Sequence, residues 1–490
     1  MKKYKDFRKS GRFVLSTGDE VHGELALSGG ATSLDLYSRE FFTTQTSRDI
    51  FGTFHDLSKV SLLHCITTQG LGTGTRGDEH YHFGSVFPHF VLFGDEHISS
   101  DDRKVAEVSF AVDDAPTLFY DFDAFGTVID ARPHMERIAA SHEGDRTIEI
   151  GDHPHLFYFT GKHDIFAVNT GIGKVSATHG ISYRFPGPEG IHVQNTIRLN
   201  IAFPTAQTVE DAVNHLISVL RFMEVMAGRP QNINELSFRL AVEADERPKV
   251  MDAYWCLPPR RDEEADSRSP HPADLPLQAG RQPDVFGEVL ASWLERHHDW
   301  RSARTRYATA MSYQHRYEID RLVGAANMFD ILPDSAFPPS VPIAAELVAA
   351  RDAARASFKS LPPSPERDSV LGALGRIGEP ALRHKIRSRA KLISGIVGGR
   401  FPDLELVTDQ AVRCRNYFVH GSPGKFDYGR HTEQVSFFID CLEFVFAASD
   451  LVESGWDIAT WIKEGTTMSH PFGRFRVNYA LQLAELKKLL

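Results

Sequence analysis

Cysteine is scarce in this chain, with only Cys65, Cys256, Cys414 and Cys441 among 490 residues. No two of them have the spacing of a disulfide framework or a zinc pair. They read as reduced core residues, which argues against a disulfide-stapled scaffold and a thiolate metal site. Long apolar runs are missing as well. No stretch reaches the roughly 18–20 consecutive apolar residues that a membrane-spanning helix needs. The basic start, Met-Lys-Lys-Tyr-Lys-Asp-Phe-Arg, is not followed by a hydrophobic signal segment, so a cytoplasmic location without membrane contact is expected. Positive charge is not in surplus either. The net charge of −11 argues against an indiscriminate nucleic-acid binder.

What is present is unevenly distributed. From Arg281 to the end, 27 Lys and Arg face 25 Asp and Glu, while the rest of the chain carries 27 against 40. The acidic part is β-rich. Short alternating runs bounded by turn residues recur at Arg12–Ser16, Gly23–Leu27, Ser33–Tyr37, Lys59–Thr67, His89–Phe93, Ala106–Val112, Thr147–Ile150, Leu156–Thr160, Asp164–Asn169, Gly180–Arg184 and Val193–Ala202. A helix follows, with Thr208 and Asp211 as a capping box and Gly228 as its stop. Proline then becomes frequent between residues 243 and 284, which reads as a linker or surface loop with a docked Tyr254-Trp255-Cys256. Beyond it the periodicity is helical: Val285–His298, Ala303–Asp330, Ala344–Ser360, Asp368–Ile377, Pro380–Val397, Thr408–His420, Thr432–Ser454 and Arg476–Leu490. The expected fold class is therefore α+β and multidomain. A β-rich, sandwich- or barrel-like domain at 1–242 and a linker at 243–284 precede an all-helical domain at 285–490.

The most informative stretch is Thr408–Gly421, Thr-Asp-Gln-Ala-Val-Arg-Cys-Arg-Asn-Tyr-Phe-Val-His-Gly. Thr408 or Asp409 suits a helix start and Gly421 a left-handed end. At about 100° per residue, Val407, Ala411, Cys414 and Phe418 form a core-facing stripe. Arg413, Asn416 and His420 face the other way, with Arg415, Val412 and Val419 on the flank. Arginines on a solvated face and a histidine near a helix C-terminus are ordinary. Here, however, Asn416 and His420 are four apart, and the valines beside them suggest a partner surface. Arginine and imidazole together suit phosphorane stabilisation and proton transfer.

Arg415-Asn416-Tyr417-Phe418-Val419-His420 resembles the signature of HEPN ribonucleases: arginine, a polar residue, a short spacer, then histidine. Arg-Asn followed by Val-His-Gly is similar to the ApeA-type branch of prokaryotic abortive-infection proteins. Gly23-Glu24-Leu25 and the strand His89–Gly94 resemble the N-terminal domain of that branch. The resemblance implies a metal-independent, cofactor-free endoribonuclease in which Arg415, Asn416 and His420 are catalytic. It also implies RNA as substrate, a homodimer or higher homo-oligomer that completes the site, and a phage-derived activator. Arg413 has an allowed spacing to His420 too, so both arginines remain candidates. An acidic auxiliary residue from the preceding helix falls on Asp330, with Asn327 nearby as a departure from the pattern. A non-catalytic module that binds nucleotide or protein, with a β-domain that recruits a partner, stays open as the alternative.

Other sequence features carry less. Arg383, Lys385, Arg387, Arg389 and Lys391 form a basic run suited to RNA phosphates or to a solvated helix face. Gly72-Thr-Gly74-Thr-Arg-Gly77 spells a dinucleotide fingerprint, but no helix follows it, so it reads as a flexible connection. His80 and His82 share a strand face without further ligands of equal quality, and no metal is expected.

Overall fold

The computed structural model describes residues 7–490 apart from 46–47, 143, 145, 189, 243–246, 260–268, 315, 339–343 and 379. The chain divides into two compact units, Met1–Glu295 and Arg296–Leu490. Its order, an antiparallel β-sheet unit followed by a helical one, is the α+β arrangement expected.

The strands of the first unit are β1 (Arg8–Val14), β2 (Glu20–Ala26), β3 (Ser33–Ser38), β4 (Ile50–Phe54), β5 (Lys59–Leu63), β6 (Ile66–Arg76), β7 (Glu79–Phe87), β8 (Phe90–Gly94), β9 (Val105–Val112), β10 (Phe125–Val128), β11 (Leu156–Phe159), β12 (Asp164–Thr170), β13 (Gly173–Gly187), β14 (Gly190–Gln207), β15 (Ile233–Leu240) and β16 (Val250–Trp255). Fourteen of them form one sheet in the order β12-β13-β14-β9-β15-β16-β8-β5-β4-β1-β2-β3-β7-β6, and β10 pairs with β11 separately. Its helices are α1 (Ala115–Leu118), α2 (Arg132–Ser141), α3 (Val209–Ala227) and α4 (Pro283–Glu295). Thr208 caps α3 by accepting from the Asp211 N–H, and Gly228 ends it in the left-handed region.

The two halves of the sheet are covered differently. The helices α1, α3 and α4 pack on β9, β12 and β14. In the other half, Phe13, Leu25, Leu34, Leu36, Ile50, Val60, Leu62 and Val91 are fully buried in one cluster, although no described helix packs on their strands. That half covers its own apolar face by curling, as a barrel does. Close approach inside the curl explains one glycine. Phe13 lies opposite Gly52 across β1 and β4, where an added Cβ would sit 2.5 Å from the ring.

Four expectations for the first unit are corrected. Residues 147–150 are not a strand. Gly72–Gly77 is not a flexible connection: residues 72–76 belong to β6, and Gly77 turns the chain into β7 with φ 65°. The stretch 243–284 contains β16, which pairs with β15 on one side and β8 on the other; residues 243–246 and 260–268 of it lie outside the described residues. Helix α4 packs on β12 and belongs to the first unit, so the helical unit begins near residue 296 rather than 285.

The second unit contains α5 (His297–Ser312), α6 (Ile319–Asp330), α7 (Ala345–Lys359), α8 (Pro365–Gly375), α9 (Leu382–Val397), α10 (Leu404–His420), α11 (Thr432–Glu453), α12 (Ile458–Trp461) and α13 (Pro471–Leu489). The continuous helix expected over Ala303–Asp330 is broken between α5 and α6. Helix α11 is buried on nearly every side and takes the centre, packing against α6, α9, α10 and α13. Its Phe437 and Phe444 stack with Phe475, and Phe446 meets Tyr307 and Phe329. Burial of each such side chain contributes about 1.5–3 kcal/mol. Asp450 near its end is fully buried and accepts from Arg304 Nε and Nη2 at 2.8 and 2.9 Å. Asp450→Ala strips buried Arg304 of that carboxylate. A loss of about 3–5 kcal/mol is expected, read as a lower midpoint in urea unfolding.

Candidate active site

Helix α10 is defined by its two ends. It starts at Leu404, after Asp403 with φ 57°, a turn earlier than expected. Thr408 is not its cap but donates from Oγ1 to the Glu405 carbonyl at 3.0 Å. Asp409 is not its cap either, and instead receives two arginines of α9. At the other end Gly421 has φ 66°. Its N–H donates to the Tyr417 carbonyl, and that of Ser422 to the Asn416 carbonyl. The helix thus stops directly after His420, which leaves that ring exposed on the last turn. Val407, Ala411 and Cys414 are fully buried as expected and Phe418 is half-buried. Burial pushes the Cys414 thiol up to about 12, which makes it inert. Val412, expected beside the motif as partner surface, is only 6% exposed and belongs to the core. Val419 and Tyr417, at 42% and 41%, are the apolar residues that remain outside.

Arg415 gathers the polar groups. Its Nη1 lies 2.9 Å from His420 Nε2 and donates to Asn416 Oδ1 at 3.1 Å. Its Nη2 donates to Asn327 Oδ1 on α6 at 3.3 Å. A guanidinium only donates, so Nε2 is the acceptor and the ring proton sits on Nδ1. Asn416 therefore orients Arg415. Arg415 Nε is buried and has no acceptor among the described residues. All three partners of this cation are uncharged. Three buried arginines of the unit face carboxylates, Arg304 with Asp450, Arg321 with Glu443 and Arg389 with Glu453, while buried Arg476 donates to the Trp461 and Glu464 carbonyls. An uncompensated guanidinium beside an exposed imidazole is suited to hold an anion next to a proton acceptor.

The remaining candidates separate. Arg413 takes no part in these hydrogen bonds, and its charge acts on Tyr428. Asp330 is exposed, and its backbone carbonyl, not its carboxylate, accepts from Lys385 at 2.9 Å. Asn327, one turn earlier, takes the position expected of Asp330. Residues three apart on a helix share a side, so an alignment slip of three positions looks alike in sequence.

Residues 8–293 match the family model of ApeA N-terminal domain 1, and residues 323–459 match that of the Apea-like HEPN domain. The chain is an ApeA-type HEPN protein. Comparison with curated proteins and with solved structures gives no match. The HEPN match takes in Asn327, Arg415, Asn416 and His420, and membership makes the chain a HEPN-family defence protein. HEPN domains are generally ribonucleases that bind RNA and commonly dimerise. Among the described residues of this ApeA-type chain, no helix is long and apolar enough to cross a membrane.

The basic run of the HEPN unit does not form one patch. Residues two apart on a helix are about 200° apart, so the run divides between two faces, Arg383, Arg387 and Lys391 on one and Lys385 and Arg389 on the other. Arg389 is fully buried, donating to Ser449 and the Ala336 carbonyl and pairing with Glu453. Lys385 lies over the Phe337 ring, and Lys391 is exposed. Arg383 and Arg387 both fork onto Asp409. Burial alone would raise the Asp409 carboxyl, but the hydrogen bonds from both arginines hold it below its ordinary value. In the β-sheet unit, His80 and His82 meet Thr75 and Thr73 across β6 and β7. A cavity of about 500 Å³ lies over β9, β14 and β15, lined in part by Asp113, Arg198, Asn234 and Glu235.

A second titratable group on α11 was not signalled by any motif. Glu443 takes Arg321 in two hydrogen bonds, at 2.8 and 2.7 Å, and leaves Asp440 3.9 Å from that cation. Desolvation and the Glu443 charge push the Asp440 carboxyl up to about 7, while Arg321, Tyr317 and Arg474 act against the shift. The side chain keeps 39% exposure, so solvent limits the effect. The native state binds the extra proton between the ordinary carboxylate range and pH 7, so this group's contribution to stability falls as pH rises through that window. Asp440→Asn is expected to remove that slope and to melt above the parent at pH 8. Parallel melting curves of the two proteins from pH 4 to 8 would contradict it.

Proposed function

We propose that this chain is an endoribonuclease acting on cytoplasmic RNA in anti-phage defence by abortive infection. The observation that carries the reading is the 2.9 Å contact between Arg415 and His420 on an exposed helix end. An RNA phosphate takes the Arg415 donors and frees His420 Nε2 for the adjacent 2′-hydroxyl. The 2′-oxygen attacks phosphorus, His420 accepts its proton, and the 5′-oxygen leaves. Arg415 stabilises the charge of the phosphorane. Asn416 and Asn327 hold the guanidinium in place without neutralising it. The nucleophile is the substrate's own hydroxyl, so the reaction proceeds without a metal ion. The products carry a 2′,3′-cyclic phosphate and a 5′-hydroxyl.

One imidazole cannot both accept the first proton and donate the second in a single step. Two copies of the chain therefore supply one composite site, each giving its own Arg415 and His420. Exposed Tyr417 and Val419 beside the motif suit that contact. The acidic β-sheet unit is repelled by RNA and is the part that meets the phage-derived activator.

His420→Ala is expected to lower cleavage of total RNA in the presence of chelator by about 10²–10⁴-fold, with loss of the 5′-hydroxyl ends seen by sequencing. Undiminished cleavage would overturn the assignment. Intact RNA together with toxicity that survives His420→Ala would favour the non-catalytic binding module instead.

A further inference from the structure

The face of α10 that carries the motif continues beyond it. Asp409, Arg413, Asn416 and His420 recur at intervals of four, three and four residues, which keeps them on one side of a helix. The far end of that side is occupied by α9. Arg383 donates through Nε at 2.7 Å and through Nη2 to the Asp409 carboxylate, and Arg387 does so through Nε at 2.8 Å and through Nη2. The carboxylate is buried, whereas the two arginine side chains are 43% and 36% exposed. Nη1 of each has no acceptor among the described residues. Two guanidiniums share one carboxylate, so one positive charge is left over. Glu405, a turn earlier on α10, bears on Arg387 only at a distance and makes no ion pair with it.

We infer that Arg383 and Arg387, held in place by Asp409, form a phosphate-binding subsite for the RNA strand leaving the Arg415–His420 centre. The inference rests on the nuclease reading given above. Asp409 lies 11 residues from His420 on one continuous helix, about 16 Å along its axis. The phosphate bound there is therefore a few nucleotides from the one that is cleaved. A fork already fixed on a carboxylate has lost its side-chain freedom before the ligand arrives, which lowers the entropic cost of binding. Arg389 has no part in this, being buried on the other side of α9, and Lys385 is engaged with the Asp330 carbonyl.

The test uses full-length His420→Ala protein, a labelled unstructured oligouridylate and fluorescence anisotropy over a range of salt concentrations. Arg383→Gln and Arg387→Gln, made singly, each leave one arginine on Asp409. Each is expected to bind more weakly and to flatten the slope of log affinity against log salt by about 0.7, while Arg387→Lys keeps the parental slope. Phenylglyoxal labelling of unsubstituted Arg383 and Arg387, read by mass spectrometry, is expected to be blocked by the oligonucleotide, and this readout does not depend on how the variants fold. Parental slopes in correctly melting Gln variants, or labelling that RNA does not diminish, would overturn the subsite alone. Absence of RNA binding by the His420→Ala parent would overturn the subsite and the nuclease reading together.

Discussion

Arg415 reaches from α10 to Asn327 on α6, to Asn416 beside it and to His420 on the next turn. Each of these partners fixes direction and none removes charge. Elsewhere in the helical unit Arg304, Arg321 and Arg389 face the carboxylates of Asp450, Glu443 and Glu453, and Arg383 and Arg387 share that of Asp409. The difference is physical as well as positional. A buried guanidinium on a carboxylate is a structural fastening, whose removal is costly because the other charge is left behind. A half-exposed guanidinium on amides and an imidazole keeps its field for something that arrives from solution.

Such an arrangement needs rigid support, and α11 provides it. Because this helix is buried on nearly every side, α6, α9 and α10 all pack against it and hold fixed positions along it. Asn327 comes from α6, Arg415 from α10 and the Asp409-bound arginines from α9. The polar geometry is thus set by apolar packing behind it. Gly421 adds the last constraint: a left-handed residue ends α10 at His420, so the ring is displayed on the final turn instead of being covered by a further one.

Much of this was legible in the residues. Glycine at 421 and the Arg-to-His spacing located the end of α10 and its polar groups, because a left-handed stop and a helical period are local properties. Its start was misread because Thr408 and Asp409 are typical capping residues, and only tertiary contacts reveal that Asp409 serves α9. Val412 sits on the flank of the wheel, and whether a flank is covered depends on neighbouring helices. The choice of Asn327 over Asp330 depends on a register that one sequence does not fix. The splitting of the basic run could have been read directly, since alternate positions cannot share one side of a helix. In the β-sheet unit, β16 was hidden because prolines on both sides of it mimic a linker, and its alternation is short.

The position of β16 has a consequence for biosynthesis. It joins β8 to β15, so two groups of strands that are neighbours in the sheet are connected only through a segment made after both. As the chain leaves the ribosome, β8 and β15 each present a bare edge until residue 255 has emerged. The prolines and charges around that segment discourage it from pairing with another nascent chain in the meantime. Closure of the sheet is a late event, and the helical unit is translated only after it becomes possible.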